Sequence, residues 1–379
     1  MPSVYLGDFP EPDRIEGAPH PRETPRLYGH AGAEAEFLSA FNAGRLHHAW
    51  LIAGPRGVGK ATLAWRIARF LLTAPEGDGG LFGAPPPPDT LDVPEDDPAA
   101  RRIAALSEPR LFLLRRGLNE SEKAPAQEIL VKEVRALKSH FALSSADGGR
   151  RVAIIDAADD LNPSAANALL KLLEEPPVGV TFLLIAHQPN RLLPTIRSRC
   201  RLLRLAPLAP DDLSAALAQA GAEVPPGAEQ ALAELAGGSV GAALRLVNLD
   251  GLRLYGQVAA LFDTLPRMDR TRALDLAEAG AARGAEARFD LTLTLIDLFL
   301  ARLARAGSLR QTPPEAAPNE AAILARLAPT PAAARGWADL AQGLTLRVRR
   351  GRAVNLDPAA LLMDMVLKID ETAGTLAQR

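Results

Sequence analysis

Residues 49–72, AWLIAGPRGVGKATLAWRIARFLL, constrain the fold more than any other stretch. AWLIAG (49–54) is a short apolar run that ends in glycine, which suits a buried parallel strand. KATLAWRIARFLL (60–72) follows as a helix. Strand, glycine turn, helix is the setting in which backbone N–H groups and a helix N-terminus hold a phosphate. The pattern G-x-x-x-x-G-K-[ST] is met at Gly54, Gly59 and Lys60, and Gly57 also allows close approach. It then fails, because Ala61 stands where a hydroxyl would ligate Mg²⁺. Thr62 comes one residue late, about 100° further round a helix. Two readings stand at this point: an anion-binding loop with impaired metal-dependent hydrolysis, and a plain glycine turn.

The pattern around the loop repeats. Strands are expected at LFLLRR (111–116), RVAIIDAADD (151–160), TFLLIA (181–186) and RLLRLAPL (201–208). Helices are expected at 31–44, 60–72, 128–143, 162–177 and 194–200, with Asn162 as a cap, Pro163 in a first turn and Pro176–Pro177 as a stop. Alternating strand and helix over 27–208 implies a parallel sheet covered on both faces. Residues 74–100 carry four successive prolines and read as a loop insertion, and the proline- and charge-rich residues 1–26 read as a poorly ordered lead-in. After Pro210 the reading changes to helices: short ones over 209–250, then Ala/Leu/Arg-rich ones over 251–379 with a proline-rich break at 312–318. The expected class is α/β followed by all-α.

Several polar positions have two readings each. Asp156 ends an apolar strand, where a carboxylate either helps to hold a nucleotide's Mg²⁺ or caps a loop. A glutamate that could polarise water would follow it in many ATPases of this kind, but Ala157 cannot handle a proton. Arg199, in RSRC (197–200), is either half of a surface ion pair or a planar fork for phosphate, and from the residues alone the ion pair is the simpler reading. Glu174 and Glu175 close a helix where carboxylates are disfavoured by roughly 0.3–1 kcal/mol. That points to a partner, across a subunit interface for example, with plain solvation as the alternative.

Other features exclude more than they suggest. The single cysteine, Cys200, rules out an internal disulfide and a Cys-based zinc site. His47 and His48 are adjacent and diverge if extended, and His30 stands apart from any Cys/His cluster. A net charge of −2 provides no global basic field for nucleic acid, although LRVRRGR (346–352) is locally basic. LTLTLIDLFLARLARA (291–306) is interrupted by Asp297, Arg302 and Arg305, so it reads as a buried helix with no membrane contact. MPSVYLGDFPEPDR lacks the features of a secretory signal, and a cytoplasmic location is expected.

The run NALLKLLEEPP…TFLLIAH…LLPTIRSRC (167–200), with GRLHHAWLIAGPRGVGKATLA (44–64), resembles the clamp-loader subunits of bacterial DNA polymerase III, which are AAA+ proteins. The resemblance covers roughly residues 27–250, and NLDPAALLMDMVL (355–367) is compatible but weaker. It implies a RecA-like AAA+ domain over 27–208, a helical lid over 209–250 and a helical collar over 251–379. It implies partners too: the loader's ATPase subunits and delta subunit, the sliding clamp indirectly, and primed DNA through the assembled complex. Ser198, Arg199 and Cys200 match the family's Ser-Arg-Cys motif, whose arginine reaches into a neighbour's ATP site.

The family's ATPase members also carry a lid arginine. In GGSVGAAL (237–244) Gly241 holds that place, and Arg245 is four residues later. Ala61, Ala157 and Gly241 together imply the subunit type that does not turn ATP over. A degenerate nucleotide site of Gly54, Gly57, Gly59, Lys60, Thr62 and Asp156 would still allow ATP or ADP to bind without hydrolysis. The cysteines that hold zinc in many members are missing, so zinc is not expected. His187 and Gln188 lie near a sensor position, and no role is assigned to them. The alternatives are an active AAA+ ATPase, either a loader motor subunit or a DNA-branch motor, and a phosphate-loop kinase for a small molecule.

Overall fold

Strand β1 (Ala49–Ala53) is wholly buried and pairs in parallel with β4 (Val180–Ala186) on one side and β5 (Arg201–Arg204) on the other. β3 (Arg151–Asp156) pairs with β4 and with β2 (Leu111–Arg115), which gives five parallel strands in the order β2-β3-β4-β1-β5. The computed structural model describes residues 11, 14–15, 18–75, 86–118, 126–143, 149–282 and 284–378. β3 and β4 read as unbroken apolar runs because helices cover both faces of the sheet.

One face carries α4 (Val131–Leu143), α5 (Pro163–Glu174) and α6 (Pro194–Arg197). Val134, Leu137 and Phe141 of α4 meet Leu169, Leu172 and Leu173 of α5 and Ile196 of α6 in one apolar cluster. α5 begins where the sequence says it should: Asn162 caps it by accepting from the Ala165 N–H at 2.8 Å, and Pro163 occupies its first turn. α2 (Lys60–Thr73) packs on β1, β3 and β4, and α1 (Ala31–Asn42) packs beside β5.

The chain divides into two units: residues 1–221 with 238–241, and residues 222–237 with 242–379. The segment expected as a lid, 209–250, is thus shared between them. In the sheet unit, part of the expected lead-in is tethered. Arg69 donates to the Arg22 carbonyl at 2.6 Å and to the Thr24 carbonyl at 3.1 Å, and His20 is buried edge-on to Trp65. Residues 1–10, 12–13 and 16–17 of that lead-in, and 76–85 of the expected insertion, lie outside the described residues. The rest of the insertion is anchored by buried Leu91 and by an Arg66–Asp92 ion pair at 2.9 Å, and it ends in a short helix, α3 (Pro98–Ala104). The last expected strand is shorter than 201–208, because β5 is an edge strand whose ladder partner β1 ends at Ala53, opposite Arg204.

Beyond β5 the described elements are all helical, from α7 (Pro210–Gln219) to α15 (Pro358–Ala377). In the second unit α12 (Glu286–Leu309) lies between α10 (Gly251–Asp263) and α14 (Pro331–Ala353), and the rings of Phe262, Phe299 and Trp337 pack at tilted angles among them. A buried polar network sits in this core. Glu320 accepts from the Tyr255 hydroxyl and from Arg302 Nε, each at 2.6 Å, and from the Ala316 N–H at 2.7 Å. Among the described residues no helix is long and apolar enough to cross a membrane.

Candidate functional site

The loop between β1 and α2 has the backbone that its glycines predict. Gly57 and Gly59 adopt φ +79° and +104°, in the left-handed region. A Cβ on Gly54 would sit 2.3 Å from the Leu205 carbonyl oxygen, so only glycine fits against the end of β5. His30, buried and kept neutral by that burial, donates Nε2–H to the Val58 carbonyl at 2.8 Å and braces the loop from outside.

Lys60 is 3% exposed and turned back on its own loop. Its ammonium donates to the Gly54 carbonyl at 2.9 Å and also to the Pro55 carbonyl. Burial brings its pKa down to about 8, against the opposing pull of the Asp156 and Asp159 carboxylates. Asp156 ends β3, level with Arg115 of β2 and Ile185 of β4, and acts on Lys60 through its charge. The next residue, Ala157, is buried and brings only a methyl group. Ala61 and Thr62 lie half-buried on the first turn of α2.

Two contacts at this site were invisible to motif reading. Asp159 accepts from the backbone N–H of His187 at 2.9 Å and of Gln188 at 3.2 Å, and so ties the end of β4 to the turn after β3. The His187 imidazole, pushed down to about pKa 4 by burial and by the nearby Lys60 charge, is neutral at physiological pH. In addition, Ser239 Oγ donates to the Arg56 carbonyl at 2.9 Å, and Gly241 N–H donates to the Gly57 carbonyl at 3.2 Å. Gly241, which the resemblance sets at the lid-arginine position, therefore rests its backbone on the β1–α2 loop. A side chain on Gly57 would lie 2.3 Å from Ser239 Oγ. These pairs are 28 to 184 residues apart in sequence, which is why no local pattern announces them.

Arg199 is not part of this cluster. It sits on the turn that links α6 to β5, its N–H donating to the Ile196 carbonyl at 3.1 Å. Its guanidinium donates to the Thr195 carbonyl at 3.0 Å and pairs with Glu174 Oε1 at 2.8 Å. The partner that Glu174 called for is thus in the same chain. The neighbouring Cys200 packs against the core cluster, and burial pushes its thiol up to about 12. Cys200 anchors the turn while Arg199 keeps 36% of its side chain exposed. Among the described residues no three His, Cys, Asp or Glu side chains are grouped as a metal site needs.

A five-stranded parallel sheet in this order, with a glycine loop leading into α2 and helices after the sheet, defines a RecA-like AAA+ domain followed by a helical region. Residues 29–209 match the family described as DNA polymerase III, delta subunit. The delta-prime subunit of DNA polymerase III from Pseudomonas aeruginosa is 38% identical over 211 residues, 55% of this chain and 56% of that protein. The Escherichia coli K12 delta-prime subunit is 33% identical over 221 residues, 57% of this chain and 59% of that protein. The E. coli tau subunit is 31% identical over 270 residues, 70% of this chain and 38% of that protein. The N-terminal region of the chain is thus similar to the delta-prime subunits of DNA polymerase III. The matched stretch spans a little over half the length of the delta-prime relatives.

Proposed function

We propose that this chain serves as the delta-prime subunit of a DNA polymerase III clamp loader in the cytoplasm, without ATP turnover of its own. In this reading Arg199 reaches in trans to the ATP site of a neighbouring ATPase subunit while the loader places a sliding clamp on primed DNA. Residues 209–250 act as the lid and residues 251–379 as the oligomerising collar. Partners are the ATPase subunits and the delta subunit, with the clamp and DNA met through the assembly.

The observation that supports it best is the contrast between two cations. Lys60 is buried on its own loop carbonyls, beside alanines where a hydroxyl and a carboxylate would be needed. Arg199 is presented at the surface on a turn anchored by Cys200. An arginine supplied in trans accelerates phosphoryl transfer by roughly 10³–10⁵. The test is ATPase activity of the reconstituted loader with clamp and primed DNA, comparing wild type with Arg199→Ala. A fall of about tenfold or more with assembly intact is expected, and it is a conservative bound on that range. An unchanged rate would overturn the role of Arg199.

The retained Gly54, Gly59 and Lys60, together with the match to tau, favour a second reading as an active AAA+ ATPase. Magnesium-dependent ATP turnover by the isolated chain would decide for it. In the first reading the site binds ATP or ADP without hydrolysis, through Gly54, Gly57, Gly59, Lys60, Thr62 and Asp156.

A further inference from the structure

We propose that Glu174 is a releasable counter-ion for Arg199: it holds the guanidinium on its own subunit and gives it up to the nucleotide phosphates of a neighbour. The inference rests on the reading that Arg199 acts in trans. It adds a control that neither the motif nor the family assigns.

The geometry is that of a parked side chain. Glu174 is the last residue of α5, where the negative end of the helix disfavours a carboxylate and favours a cation. Arg199 supplies the cation, with Nη2 at 2.8 Å from Glu174 Oε1. Nη1 is held from the other side by the Thr195 carbonyl at 3.0 Å. A guanidinium has five N–H donors in a rigid fork, so most of them remain available for a second acceptor. The arm has a defined resting position while part of its fork still faces outward.

The pair is also built to exchange. Its side chains are 36% and 43% exposed, and ion pairs that solvated are weak and screened by salt. While the pair is closed, the carboxylate cancels much of the field that Arg199 projects. A bound nucleotide offers the same fork several anionic oxygens, and charge-assisted bonds to phosphate are strong. The incoming phosphate therefore competes against a single carboxylate. Glu175, the next residue, is exposed and forms no described ion pair, so it provides a matched control for simple loss of negative charge.

The test measures the affinity of the full-length chain for the loader's ATPase subunits, loaded with a non-hydrolysable ATP analogue or nucleotide-free, in low and high salt. Wild type, Glu174→Gln, Glu175→Gln and Arg199→Ala are compared. Releasing an exposed ion pair is expected to tighten binding of Glu174→Gln to the nucleotide-loaded partner by about two- to fivefold. Binding to the nucleotide-free partner should not change, the gain should shrink in high salt, and Glu175→Gln should behave as wild type. Unchanged or weaker binding of Glu174→Gln to the loaded partner would overturn the proposal, as would an equal gain from Glu175→Gln. If Arg199→Ala keeps the wild-type preference for the loaded partner, the trans reading itself fails. If Arg199→Ala loses that preference but Glu174→Gln gains nothing, only the counter-ion role fails.

Discussion

Lys60 donates its ammonium proton to the carbonyl oxygen of Gly54 at 2.9 Å, so the cation of the β1–α2 loop is satisfied by the loop's own backbone. A phosphate entering this site has to draw Lys60 away from that carbonyl and from Pro55. The site therefore holds a cation that is present, buried and already engaged.

The protonation of Lys60 makes any anion binding pH-dependent. Burial lowers its pKa to about 8, so the charged form is complete below that value and is lost above it. Nucleotide affinity of the isolated chain should fall by about tenfold per pH unit once pH exceeds 8, if the charge is required. Titration calorimetry with ATP between pH 7 and 9.5 checks this, and Lys60→Met should remove the dependence. The stability sign runs the other way. Between about 8 and 10.4 an unfolded lysine keeps a proton that the folded one has lost, so the destabilising effect of burying this charge fades as pH rises.

Restoring the missing hydroxyl should not restore catalysis. Ala61→Thr supplies an Mg²⁺ ligand, but Ala157 still brings only a methyl and Gly241 no cation. Phosphate release by the isolated Ala61→Thr chain is expected to stay at the level of buffer alone, while Mg²⁺ now strengthens nucleotide binding. Measurable turnover would show that the alanine at 61 was the sole defect.

The helical unit should be more sensitive at Glu320 than at any exposed charge. Removing one partner of a buried ion pair costs about 3–5 kcal/mol, because the other charge is left uncompensated. Glu320→Ala strands the Tyr255 hydroxyl and leaves Arg302 with only Glu234 at 3.5 Å and the Pro314 carbonyl, so denaturant unfolding should show a loss near the lower end of that range. Tyr255→Phe removes one neutral donor and should lose only about 1–2 kcal/mol.

Cys200 should be chemically quiet. With its thiol pushed up to about 12 by burial, very little thiolate exists near neutral pH. Reaction with a disulfide reagent at pH 8 should be slower than that of a free cysteine by about a hundredfold or more in the folded chain, and normal in denaturant. Fast labelling of the native chain would show that the turn carrying Arg199 opens readily.

Much of the domain could be read locally. The apolar runs marked all five strands to within a few residues, and Asn162–Pro163 marked the start of α5, because a cap and a first-turn proline act on their immediate neighbours. Positive φ at Gly57 and Gly59 follows from the same short-range logic. The motif also showed which groups are missing, since an alanine at 61 or 157 lacks the needed atoms in any fold.

What tertiary structure alone decided is where the retained groups point. The sequence offered Lys60 as a phosphate ligand, but burial and the Gly54 carbonyl determine that it lies folded back. It offered Glu174 without a partner and Arg199 without a setting, and the packing of α6 beside α5 brings them to 2.8 Å. Ser239 reaches Arg56 across 183 residues of chain, and no period or spacing encodes that meeting. Propensity, caps and hydrophobic alternation act over a few residues and are written in the sequence. The electrostatics of a site depend on which distant groups the packed core brings together, and on how much water it leaves between them.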